Sequence, residues 1–209
     1  MTRYGLLPVT PPATEALTLA EAKAHLRVTD DDEDTLILGL ISAAREWFER
    51  QTYRQLVTAT WDLVLDAMPS GSGAIRIPRA PLQSVASVKY YDESGVLQTV
   101  SAANYVVTIG EEPGLIRCGQ SLVWPTAATR PDAVTVRFTA GYGVAAAVPQ
   151  LVRAALKLMI GSLFEHREEM VDRTISALPL GAQRIIACYD LGDELTEYGA
   201  TSELPSYSG

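Results

Sequence analysis

The hydrophobic period of this chain changes twice, and that limits the folds open to it. From about Asp31 to Thr52 apolar residues recur at helical spacing, in the sets Leu36, Leu40, Ala43, Trp47 and Ile37, Ile41, Ala44, Phe48. From Val57 to Asp66 the odd positions are apolar and most even ones polar, the pattern of a half-buried strand. Short alternating runs joined by turn residues continue to Phe138. From Pro149 to about His166 the helical period returns, with Leu151, Val152, Ala155, Leu156, Met159, Ile160, Leu163 and Phe164 covering more than half of the circumference. Helices at both ends and strands between them predict an α+β chain: a helical domain of about four helices, drawn from both chain ends, with an inserted antiparallel β-sandwich or small barrel.

Local signals place the boundaries. Residues 1–17, rich in Pro and Thr, read as an extended N-terminal arm. Thr18-Leu19-Ala20-Glu21 fits a capping box that opens a short helix to about Arg27. The acidic run Asp30–Asp34 is suited to opening the second helix, because carboxylates favour a helix N-terminus. Asp92-Glu93-Ser94-Gly95 and Glu111-Glu112-Pro113-Gly114 read as turns between strands. Ala140-Gly141-Tyr142-Gly143 closes the β region with a turn that needs glycine geometry. A fourth helix is predicted from Ala182 to about Tyr189. The expected domains are 18–54 with 141–191 (helical) and 55–140 (β), with 192–209 as a flexible acidic tail.

Composition narrows the function classes. With 209 residues and 47% apolar content, a packed core is within reach. There is no window of about 18 uninterrupted apolar residues and no apolar stretch at the start, so neither a membrane span nor a cleaved secretion signal is expected. The net charge is −8, and residues 190–209 hold Asp190, Asp193, Glu194, Glu197 and Glu203 with no Lys or Arg. That is not the clustered positive surface of a DNA reader. Only Lys23, Lys89 and Lys157 are lysines; the other bases are Arg, which forms forked carboxylate pairs at protein interfaces. Cys118 and Cys188 give no metal-ligand spacing and no disulfide framework, and read as mostly buried thiols.

No constellation for chemistry stands out. Asp30–Asp34 lacks the ligand alternation of a calcium loop. His25 near Glu21 and His166 near Glu165, Glu168 and Glu169 have no nucleophile motif beside them, so a hydrolase built on His166 has no motif in support. Gly141-Tyr142-Gly143 lacks the lysine of a phosphate cradle. No catalytic, cofactor-binding or metal-binding residue is assigned. Trp61, Tyr90, Tyr91, Tyr105 and Trp124 fall in the β block, where aromatics fill a core or form a ligand platform. Because Tyr90 and Tyr91 are adjacent, one must face outward.

Several blocks, in order and spacing, resemble the head–tail adaptor (connector) family of tailed phages, also found in prophages and gene transfer agents. They are Leu17–Val28 (LTLAEAKAHLRV), Asp32–Ile37 continuing through Ile41–Arg45, Gln51–Leu56, and Phe138–Gly143 closed by Val148-Pro149. Together they cover roughly residues 17–190. Tyr53 stands where the family often has Gly. The resemblance implies a virion structural protein without catalysis or cofactor. Such a protein is made in the host cytoplasm and forms a homo-oligomeric ring, typically twelve-fold, beneath the portal protein. It would lengthen the DNA channel without sequence-specific binding and offer a platform to a tail-completion or stopper protein. Carried to this chain, portal contact falls on Ile185, Tyr189, Leu191, Tyr198, Leu204 and Tyr207. A ring needs one face of a subunit to meet a different face of the next, and Leu156, Ile160, Phe164 and Tyr91 are the candidates. The alternative reading of the same residues is a β-sandwich module on a helical base, binding a ligand or glycan through its aromatics.

Overall fold

The computed structural model describes residues 4–166, 179–192 and 195. Among these residues the chain forms eight strands and four α-helices, with all strand pairs antiparallel, so the class is α+β. Two compact units result. One holds residues 12–58 and 142–190; the other holds residues 59–141 with the described residues of 4–11 and 191–195.

The helical unit starts where the capping box predicts. Helix α1 (Leu19–Leu26) is capped by Thr18, whose Oγ1 accepts from the Glu21 N–H at 3.2 Å, while the Thr18 N–H donates to Glu21 Oε2 at 3.0 Å. Arg27 ends it in the left-handed region at φ 61°. Helix α2 (Asp34–Thr52) begins three residues later than the acidic run suggests. Asp31 and Asp34 are engaged elsewhere: Lys23 Nζ donates to both, at 2.7 and 2.6 Å. A lysine on the preceding helix thus serves as counter-ion to two acids of the run. Tyr53 closes α2 at φ 55°, a conformation that glycine adopts without strain. The residue that departs from the family pattern therefore still takes the glycine-type backbone.

Helix α3 (Gln150–Glu165) follows Pro149, and α4 (Leu180–Tyr189) follows Pro179. One core joins all four helices. Ala22 comes from α1; Ile37, Ile41, Ala44 and Phe48 from α2; Val152, Ala155, Leu156, Met159 and Ile160 from α3; Ala182 from α4. Each large apolar side chain removed from water here contributes about 1.5–3 kcal/mol.

The β unit contains β1 (Tyr4–Thr10), β2 (Ala59–Leu65), β3 (Ile75–Arg76), β4 (Leu82–Tyr91), β5 (Leu97–Thr99), β6 (Tyr105–Thr108), β7 (Leu115–Cys118) and β8 (Val134–Ala140). Five strands form a sheet in the order β1-β2-β8-β4-β5, and three form another in the order β3-β7-β6. Leu63, Val88, Val136 and Phe138 of the larger sheet and Ile75 and Ile116 of the smaller one enter a single apolar cluster. Register follows the alternation: Leu63 lies opposite Val136 toward this core. One position along, Arg137 clamps Asp62 through two bonds of 2.9 and 2.8 Å.

The N-terminal residues depart from expectation. Part of the segment read as an arm is strand β1, paired with β2 from Tyr4↔Leu65 to Thr10↔Thr60. Its Pro8 is tolerated because β1 is an edge strand. The turn between β8 and α3 does use glycine geometry: φ is 129° at Gly141 and 117° at Gly143.

Candidate functional site

Of the carboxylates read near the two histidines, Glu168 and Glu169 lie outside the described residues. His25 is exposed on α1, its ring beside Gly161, and the carboxylate nearest it in sequence, Glu21, accepts from Arg153. His166 is the exposed cap of α3, its N–H donating to the Ser162 carbonyl at 3.1 Å. Among the described residues no group of three or more His, Cys, Asp or Glu could hold a metal ion. Nor is any helix there long and apolar enough to cross a membrane. Of the two cysteines, Cys118 is half-buried, with its thiol pushed up by burial, and Cys188 is exposed, contrary to the expectation of two mostly buried thiols.

The aromatic residues of the β unit differ in burial. Trp124 is buried, and its Nε1–H donates to the Gly73 carbonyl at 2.6 Å. Trp61, Tyr90 and Tyr105 pack partly buried against the apolar cluster, and the Arg79 guanidinium covers Trp61 at 5.0 Å. Tyr91 is the neighbour that turns away, and Arg130 lies 4.2 Å over its ring. Four of the five thus pack wholly or partly on the core of their own unit.

The helical unit is braced by three arginines that sequence reading did not single out. Arg45 reaches Glu15 at 2.7 Å and Glu49 at 2.8 Å; Glu49 in turn accepts from Gln55 Nε2 and the Leu56 N–H, each at 2.8 Å. Arg54 donates to the Tyr189 carbonyl at 2.7 Å and to the Tyr142 hydroxyl at 3.0 Å. Arg153 donates to the Ala16 and Ala145 carbonyls, at 2.6 and 3.0 Å, and to Glu21. A hydrogen bond from the Thr18 N–H, aided by Arg153 and the Thr18 hydroxyl against the cost of burial, lowers the Glu21 carboxyl from 4.5 to about 2. The one available signal was the excess of Arg over Lys. Its forks serve joints inside the unit, where several acceptors must be met at once.

The predicted contact residues fall in different places. Leu156 and Ile160 are fully buried in the helical core, and Phe164 packs partly buried on it. The first two have no surface to offer another chain, which corrects their assignment to a ring interface. Tyr91 keeps a partly exposed ring under Arg130. Ile185 and Tyr189 pack partly buried on the helical core, and Leu191 is buried. Tyr198, Leu204 and Tyr207 lie outside the described residues. The apolar residues that do face outward are others. On the helices they are Leu36 and Leu38 of α2, Leu151, Leu158 and Leu163 of α3, and Leu180 of α4.

This combination defines a class by its build: two compact units, with apolar side chains left outside on the helical one. Comparison with known proteins gives the class its content. Residues 16–110 match the family of phage gp6-like head-tail connector proteins. The chain is similar to a chain from the neck of an empty gene transfer agent particle, computed with C6 symmetry. The two are 26% identical with a TM-score of 0.74, over 89% of this chain and 95% of that one. It is similar also to a chain of the virion of a native gene transfer agent particle, 26% identical with a TM-score of 0.73, over 88% and 94%. A third, from the neck of the native particle computed with C12 symmetry, is 25% identical with a TM-score of 0.72, over 89% and 94%. No curated protein matches the chain by sequence. The family model thus meets the resemblance read from the sequence blocks over residues 16–110, and the similar solved chains belong to gene transfer agent particles.

Proposed function

We propose that this chain is a head–tail connector of a tailed-phage or gene-transfer-agent particle, a structural subunit and not an enzyme. The observation that carries this is the near full-length match to neck chains, 89% of this chain and 95% of the other, joined to the connector match at residues 16–110. In this reading the subunit repeats around an axis as a ring, as the C12 symmetry of a similar neck suggests. The ring sits beneath the portal protein, extends the DNA channel, and supports a tail-completion or stopper protein. The two sheets act as a sandwich-like insertion carried by the helical frame. A net charge of −8 suits a channel through which DNA slides without sticking.

Portal contact is assigned to the acidic segment beyond Leu195. With two acids, Glu197 and Glu203, no base and few apolar residues, it cannot build a core alone, which suits ordering on a partner. Leu195 itself is buried and its N–H bonds to the Leu191 carbonyl at 3.2 Å, so the truncation that spares the fold removes only residues 196–209.

Light scattering of the full chain with and without purified portal rings tests the reading. A mass increase on the portal, reduced in the truncated chain, is expected. A full chain that never adds mass to portal overturns the connector reading. Equal addition by the truncated chain overturns only the role of the tail.

A further inference from the structure

Helix α3 has two apolar faces, and only one of them meets the chain's own core. Val152, Ala155, Leu156, Met159 and Ile160 point inward. On the opposite side Leu151, Ala154 and Leu158 stand exposed at positions i, i+3 and i+7; the start of α4 adjoins them, since a Gly181 side chain would begin 3.4 Å from Leu158, and Leu180 next to it is exposed. Leu151 is 50% and Leu180 74% exposed. A surface helix normally turns charge to solvent on this side. Here the only other basic residues along it, Arg153 and Lys157, lie toward its flanks, Arg153 buried and Lys157 half-buried.

Helix α2 carries a second strip of the same length. Leu36, Gly39 and Ala43, again at i, i+3 and i+7, are exposed, and no atom lies within 4 Å of where a Gly39 side chain would begin. Leucines followed by a small, open position form a ridge and a hollow. Such a hollow admits a neighbouring helix at close range. Both strips lie away from the core that α2 and α3 share, one on each helix.

We infer that these strips are the two halves of one subunit–subunit contact: Leu151, Ala154, Leu158 and Leu180 of one copy seat on Leu36, Gly39 and Ala43 of the next. The occupant is a second copy of this chain. A ring needs a heterologous contact made by two different patches of the subunit, and the helical unit presents two different apolar strips, one on α2 and one on α3. This inference rests on the connector reading, since the necks computed with C6 and C12 symmetry motivate the ring.

The test uses two full-length variants, Gly39→Glu and Leu158→Glu. Each puts a carboxylate into one half of the contact at a site open enough to keep the fold, which circular dichroism and the thermal midpoint check. Mass is followed by sedimentation as concentration rises. The wild type is expected to form large closed assemblies. Each variant alone is expected to remain monomeric, its self-association weakened at least about 100-fold by the unpaired buried charge. An equimolar mixture is expected to stop at a 1:1 dimer, because one intact strip remains on each partner and only that pair can join.

Variants that assemble as the wild type does overturn the assignment of the strips and leave the ring standing. A mixture that builds assemblies larger than the dimer overturns it as well. A wild type that stays monomeric up to about 1 mM overturns self-association through these strips, and the portal-binding measurement then decides separately whether the connector reading falls.

Discussion

Arg54 holds Tyr189 twice. Its Nε–H donates to the Tyr189 carbonyl at 2.7 Å, and its guanidinium lies 5.2 Å from the centre of the Tyr189 ring. The two residues are 135 positions apart; Arg54 follows the Tyr53 cap of α2 and Tyr189 ends α4, so one side chain joins the two helix termini. A cation at a helix C-terminus also meets the negative end of the dipole. Arg54→Ala is expected to cost about 2–3 kcal/mol, for the loss of a charged hydrogen bond at a buried site. Hydrogen exchange should rise first in the amides of α4. Uniform exchange over all four helices would contradict this joint.

The capping box predicts a pH dependence. The folded Glu21 carboxyl sits at about 2, below its ordinary 4.5. A group lowered on folding stabilises the fold above its unfolded value, and that contribution fades as pH falls from about 4.5 towards 2. The gap in urea midpoint between wild type and Glu21→Gln should therefore be widest near neutral pH and shrink through this window. A gap independent of pH would assign the effect to shape and not to charge.

Two Gly→Ala substitutions should act in opposite directions. Gly143 sits at φ 117°, so Gly143→Ala is expected to lower stability by about 1–3 kcal/mol. Gly39 lies in an open stretch of α2, so Gly39→Ala is expected to raise it by about 0.5–1 kcal/mol. Thermal unfolding of the two variants side by side checks both signs.

Trp124→Phe keeps most of the ring volume and removes the donor to Gly73. Leaving that carbonyl without its 2.6 Å partner is expected to cost about 1–3 kcal/mol. The effect should show in denaturant unfolding of the β unit and spare the helical signal. An unchanged midpoint would mean that packing alone holds Trp124.

What the sequence disclosed and what it hid divide along sequence distance. The capping box at Thr18 and Glu21, the glycine turn before α3 and the alternation of β2 are local, and each is found in the structure. Strand β1 went unread because nothing within residues 4–10 dictates it; its partner β2 lies more than fifty positions away. The start of α2 was misplaced because Lys23, on another helix, claims Asp31 and Asp34. The contact residues were the least legible. Periodicity shows that α3 is apolar nearly all round, but not which face its own core takes. Leu156 and Leu158 look alike in sequence, and only packing separates the buried one from the exposed one.

The division of the helical unit between residues 12–58 and 142–190 sets an order of events during synthesis. When the ribosome has released α2, the first residue of α3 is still roughly 100 residues away, on the order of 5–20 s at ordinary elongation rates. All eight strands emerge before that point, so the β unit can close while the chain is still attached. Ile37, Ile41 and Phe48 must wait, uncovered by α3, through that interval. The unit that carries the proposed ring contact thus waits for α3 and α4, and its subunits become competent to join neighbours only after those helices are released.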